Sequence, residues 1–196
     1  MKKLILFLFV LTPIFGFSQL KVISGDFKNL KGISRYNVVF DYKDLQVHGF
    51  ETEEAYLKEK MEKREKKEGE AQKFKENWYS DRENKYEPKF IEYINKRFEN
   101  GEITASKNGD AKFTMNIKTI WIYPGYNVGA GKEPAKISAV ITIFETANPQ
   151  NILLIVDFKR SIGLEPGTFD FDQGYRIAGA YEKLAKNMAM QLKRFL

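Results

Sequence analysis

The stretch "KFTMNIKTIWIY", Lys112–Tyr123, decides how the chain is to be folded. Its apolar residues alternate, which is the period of a strand. Phe113, Met115, Ile117, Trp121 and Tyr123 fall on one face, and Ile120 and Ile122 add apolar residues to the other. Two more strand patterns follow closely, over 137–147 and 151–162. The centre of the last, Ile152-Leu153-Leu154-Ile155-Val156, is apolar at consecutive positions, as in a strand covered on both faces. Asn148-Pro149-Gln150-Asn151 reads as the turn between them. Three strands joined by short links predict an antiparallel meander.

Upstream, residues 36–42 form a further strand pattern, with Val38, Phe40 and Tyr42 on one face. A weaker one lies near 21–23. Residues 52–100 are charge-dense and helical. Thr52 is a candidate N-cap, with Glu53 and Glu54 in the first turn. Glu54–Lys58, Glu59–Lys63 and Glu62–Lys66 are spaced as i,i+4 pairs. Apolar residues are sparse there, so this helix is expected to be solvated and to project from the body until Gly69 interrupts it. Phe74 and Trp78 mark a second helix, Ser80-Asp81-Arg82-Glu83 fits a capping box, and Pro88 suits the first turn of a third. Glu83 to Glu87 reads as solvated helix surface.

The chain closes on an amphipathic helix, with Tyr175, Ala178, Tyr181, Ala185, Met188, Leu192 and Phe195 on one stripe. The fold expected is α+β: a mixed, mostly antiparallel sheet of four to five strands in the order β-α-α-β-β-β-α, packed with helices.

The N-terminus predicts the compartment. Lys2 and Lys3 precede the apolar run Leu4–Leu11, and Gly16-Phe17-Ser18 offers small residues at a cleavage site after Ser18. That run is too short to span a bilayer, which takes about 20 residues. Residues 1–18 therefore read as a signal peptide. Residues 19–196 read as a single domain with a helical excursion over 52–100, periplasmic or secreted and without a membrane span after cleavage. The chain has no cysteine, hence no disulfide and no site for lipid attachment. Its formal net charge of +6 includes the two signal lysines, and charges of both signs are interspersed, which is no nucleic-acid footprint.

"GYNVGAGKEP", Gly125–Pro134, resembles a phosphate-binding loop only at first sight. The motif places four residues between its first glycine and Gly-Lys, then Ser or Thr. Here the required position is Tyr126, Glu133 follows Lys132, and the loop joins strand to strand. It reads as a flexible hairpin connection, with Tyr126 and Lys132 best placed to touch a partner. Trp121 and Tyr123 lie beside it. Their shared face with Ile117 assigns them to core packing; the alternative is that Trp121, Tyr123 and Tyr126 stack on a sugar.

Other chemistries find little support. The single histidine, His48, reads as a surface residue, and a triad would have to use it. Asp157, Glu165, Asp170 and Asp172 could supply a glycosidase pair, and Asp170 and Asp172 could help ligate a metal. Capping of the last helix by Asp170, Asp172 or Thr168 is the simpler reading. No catalytic residue and no cofactor are expected.

Two stretches, "NVVFDYKDLQV" (37–47) and "WYSDRENKYEPKFIEYIN" (78–95), resemble an uncharacterised family of small exported proteins of Gram-negative envelopes. The likeness is carried by Phe40-Asp41-Tyr42, Trp78, Asp81-Arg82 and Tyr86 to Phe90. The meander with "RIAGAYEKLAKNMAMQLKRFL" (176–196) is similar to the periplasmic α/β domains of envelope assembly lipoproteins, although the lipid-attachment cysteine is missing. These resemblances imply a location and no activity. The expectation is a non-enzymatic envelope module that binds a protein or polymer partner. Glycan binding through the aromatic residues at 121–126, and a carboxylate-based hydrolase, are the alternatives.

Overall fold

The structure, a computed structural model, describes residues 20–128, 131–163 and 171–196. Residues 1–19, which hold the expected signal peptide, and Glu165, Thr168 and Asp170 lie outside the described residues. The elements run β1 (Leu20–Gly25), β2 (Arg35–Asp41), β3 (Gln46–Val47), α1 (Glu53–Glu62), α2 (Glu70–Asp81), α3 (Glu87–Arg97), β4 (Thr104–Ser106), β5 (Phe113–Tyr123), β6 (Tyr126–Asn127), β7 (Lys132–Glu133), β8 (Lys136–Glu145), β9 (Asn148–Ile162) and α4 (Gln173–Leu192).

The class is α+β, and the sheet is larger than four to five strands. Seven strands form it, in the order β1-β9-β8-β5-β2-β4, with β3 pairing β5 beyond β2. The meander β5-β8-β9 is antiparallel, and β1 adds antiparallel to its outer side. On the other side β2 and β3 run parallel to β5, and β4 runs parallel to β2. The extra strands, β3 and β4, are two and three residues long, too short to show a period. The turn between β8 and β9 is Thr146-Ala147 and not 148–151, because Asn148 already pairs Glu145.

One sheet face packs under the helices. Met115, Ile117, Ile137, Ile141, Val156 and Phe158 point there and are buried with Phe90, Ile94, Leu184 and Met188 of α3 and α4. Burying each such side chain contributes about 1.5–3 kcal/mol. The alternate residues Asn116, Lys118, Val140, Thr142, Ile155 and Asp157 are all partly exposed, so the second face is open. Strand β9 is therefore covered on one face only, despite its apolar run.

The helices differ from expectation where charges are buried. Thr52 caps α1, accepting from the Ala55 amide at 3.1 Å. However, α1 does not project: Tyr56 and Leu57 are buried, and Glu53 is only 7% exposed. Glu53 accepts from Trp78 Nε1 and from Arg82. Of the three i,i+4 pairs, Glu59–Lys63 closes, at 2.5 Å. Ser80 to Glu83 forms no capping box, because α2 runs through a π-helical turn, Arg82–Tyr86, into α3. That turn is not a solvated surface. Tyr86 is buried and stacks on Tyr181 at 5.3 Å, Glu87 is buried and pairs Lys107, and Lys85 bonds Asp81 at 2.9 Å. A π turn adds a residue to the helical repeat. Here the turn aims Arg82 at Glu53 while Tyr86 enters the core.

The last helix begins as the capping reading expects. Asp172 accepts from the amides of Gly174 and Tyr175 at 2.7 and 3.2 Å. Lys85 reaches the same carboxylate at 3.1 Å, tying the π turn to the start of α4. Gly174 is required there, since a Cβ would lie 2.0 Å from Asp81 Oδ2. Tyr175 leaves the apolar stripe; it is exposed, with Lys85 over its ring.

Candidate functional site

The open sheet face carries the densest group of exposed chemistry, and two irregularities of the ladder create it. In β5 the register shifts between Thr119 and Trp121, leaving Ile120 as an extra residue. A bulge of this kind reverses the side-chain alternation beyond it. Thr119, the last residue before the shift, still faces inward with Met115 and Ile117, and its hydroxyl meets Tyr181 Oη at 2.6 Å. Trp121 and Tyr123, expected on the face of Met115 and Ile117, stand on the opposite one and are partly exposed. Core packing is thus the wrong assignment for both rings.

The second irregularity lies between β8 and β9. Ala139 pairs Phe158 and Ile137 pairs Ser161, so two residues of β9 stand against Ser138 alone. Arg160 occupies this bulge with φ of 50°, and its amide donates to Ser138 Oγ at 3.1 Å. Its guanidinium lies over the Trp121 ring, 6.0 Å from the centroid.

The result is an ordered row. Arg160, Trp121, Tyr123 and Lys136 follow one another. The two ring planes lie within 17° at a centroid separation of 6.4 Å, and the Lys136 ammonium is 5.1 Å from the Tyr123 ring. His48 follows β3, anchored by its amide to the Ile122 carbonyl at 2.8 Å. Its ring meets Tyr123 and Trp121 edge-on at 5.0 and 5.7 Å. From the sequence His48 is only a surface residue, because nothing local shows that two-residue β3 delivers it to the end of β5.

Glu133 closes the row. It accepts from Tyr123 Oη at 2.7 Å and from Lys136 at 2.5 Å. Its pKa is lowered by the Lys136 and Tyr123 hydrogen bonds, whereas Tyr123 is pushed up to about 12, by burial first and then by Glu133. At neutral pH Tyr123 thus keeps its proton and Glu133 its charge.

The 125–134 connection is less free than a flexible tip. Tyr126-Asn127 and Lys132-Glu133 pair as an antiparallel ribbon, and Val128 N donates to the Gly131 carbonyl at 3.0 Å. Gly125 enters it with φ of 64°, where a Cβ would meet the Glu133 carbonyl at 2.4 Å. Arg176 of α4 bonds the Pro124 carbonyl at 3.2 Å. Tyr126 is 44% exposed and pairs Glu133 in this ribbon, and Lys132 is exposed. Residues 129 and 130 lie outside the described residues.

The two acidic candidates among the described residues, Asp157 and Asp172, do not converge. Asp157 stands on the open face, 3.9 Å from Lys159, whereas Asp172 caps α4 in the helical layer. A separate cleft of 310 Å³ is lined by Asp44, Glu51, Glu53 and Glu54, but Glu53 is committed to Trp78 and Arg82. Among the described residues no three acidic or histidine side chains are placed to hold a metal ion, and no helix is long and apolar enough to cross a membrane. No protein-family model, curated protein or solved structure matches the chain.

Proposed function

We propose that the chain is an exported, non-catalytic module that binds a polymeric partner of the cell envelope, a glycan, on its open sheet face. The compartment comes from the signal-like start, and the likeness to exported envelope families agrees with it. One observation carries the choice of site: two bulges turn Trp121, Tyr123 and Arg160 out of the core and gather them with His48 and Lys136. Aromatic rings held at the surface supply large contact area with little rotamer entropy to lose. Their C–H-binding faces and polar tips suit a sugar. A protein partner is the other reading, and it makes no particular use of this row.

Isothermal titration with acidic and neutral polysaccharides tests the proposal. Trp121→Ala is expected to weaken binding about tenfold, by analogy with bases stacked on aromatic side chains, where each ring is worth about 1–3 kcal/mol. The ring is partly exposed, so the melting temperature is expected to move by less than about 4 °C. Binding that survives Trp121→Ala and Tyr123→Ala unchanged would place the contact elsewhere.

A further inference from the structure

We infer that the partner carries acidic groups, a carboxylate- or phosphate-bearing polysaccharide, and that Arg160 is the residue that reads them. This rests on the sheet-face reading above and adds the chemistry of the ligand.

The backbone carries the inference. Among the described residues three non-glycine residues have positive φ: Asp44, Asn108 and Arg160. Asp and Asn tolerate this region because their short polar side chains bond locally. Arginine has no such compensation. A glycine would fill the bulge without strain, and the amide bond to Ser138 would remain. What arginine adds is a guanidinium delivered onto the open face. Strained positions of this kind concentrate at ligand clamps.

The group so delivered is uncommitted. Arg160 is exposed, and among the described residues its guanidinium has no hydrogen-bond or ion-pair partner; it lies over the Trp121 ring. Neighbouring charges are different: Lys136 is paired with Glu133, and Lys159 lies near Asp157. A planar fork of donors beside an aromatic ring matches a carboxylate or phosphate bidentately while the ring takes the adjoining sugar. Exposed Lys132, likewise without an ion pair among the described residues, adds positive charge in the adjoining ribbon.

The experiment compares polygalacturonate, its fully methyl-esterified form, polyphosphate and poly-glutamate, titrated calorimetrically into wild type, Arg160→Gly and Lys159→Ala. The ester keeps the sugar backbone and removes the charge. Polygalacturonate is expected to bind at least tenfold more tightly than its ester and than poly-glutamate. Arg160→Gly is expected to remove about tenfold of that preference, to leave the ester unchanged, and to raise the melting temperature by about 3 °C as the strain is relieved. Lys159→Ala is expected to change affinity less than threefold. Polyphosphate has no sugar ring, so its binding as tightly as polygalacturonate overturns the glycan class.

Equal binding of the ester overturns the acidic ligand while leaving the platform intact. Equal binding of poly-glutamate overturns the glycan class. Equal losses from Arg160→Gly and Lys159→Ala overturn the role of Arg160, as does a fall in melting temperature in Arg160→Gly. Binding to none of the polymers overturns this inference and the proposed function together. Binding that Trp121→Ala leaves untouched removes the site itself.

Discussion

Asp81 and Asp172 share one lysine and sit in different surroundings. Burial raises the Asp81 pKa, and Lys85 only partly offsets this. Burial also acts on Asp172, but Lys85 and the amides of Tyr175 and Gly174 outweigh it, so its pKa is lowered. The signs for stability are opposite. Asp172 contributes stability above the ordinary aspartate value of 3.8, lost as pH falls through its lower folded value. Asp81 is better tolerated protonated, so its ionisation weakens the fold as pH rises past 3.8. Carboxyl-carbon NMR across an acid titration is expected to show Asp81 titrating above 3.8 and Asp172 below it. A reversed order would mean that Lys85 serves Asp81 in preference. None of this was legible in the sequence. Asp172 is readable as a cap, but its link to Lys85 spans 87 positions. Glu53 and Arg82 likewise look like ordinary surface charges of helices until the π turn brings them together.

At the scale of elements, β5 shows both the strength and the limit of period-two reading. The alternation correctly identifies the strand and puts Met115 and Ile117 in the core. It fails beyond Thr119, because one inserted residue exchanges the two faces and Ile120 looks like any other strand residue. The error propagates to the site, since unbroken alternation would turn Trp121 and Tyr123 inward. Deleting Ile120 is expected to leave a regular ladder in which Thr119, Trp121, Ile122 and Tyr123 keep their partners Ala139, Ser138, Ile137 and Lys136, with both rings still on the open face and Ile122 still in the core. The melting temperature is then expected to move by less than about 5 °C, because no later side chain of the strand changes face. A loss of roughly 10 °C or more would show that Ile120 is not the extra residue and that its removal slips the register. The long helix was legible as two pieces because Pro88 and the Ser80 region imitate a boundary. The π turn carries the chain through it.

The molecule as a whole is a one-sided sandwich of sheet and helices. Its class, its meander and its closing helix follow from periodicity, since long elements repeat their pattern often enough to be read. The parallel pairing of β2 and β3 with β5 is a long-range choice with no local signature, and so is the resulting open face. The row on that face needs β3, β5, β8 and β9 together to form. Its residues were visible singly as a lone histidine, a tryptophan near a loop and scattered cations. That gathering is the basis for reading the chain as a binder of acidic polymer.

The two tryptophans make this claim directly measurable. Trp78 is buried under Glu53, and Trp121 stands partly exposed beside Arg160. Two-dimensional ¹⁵N–¹H NMR resolves one indole signal from each. On titration with polygalacturonate the Trp121 indole is expected to shift or broaden progressively while the Trp78 indole stays in place. A Trp121 signal that does not respond, or a response confined to Trp78, would contradict the account.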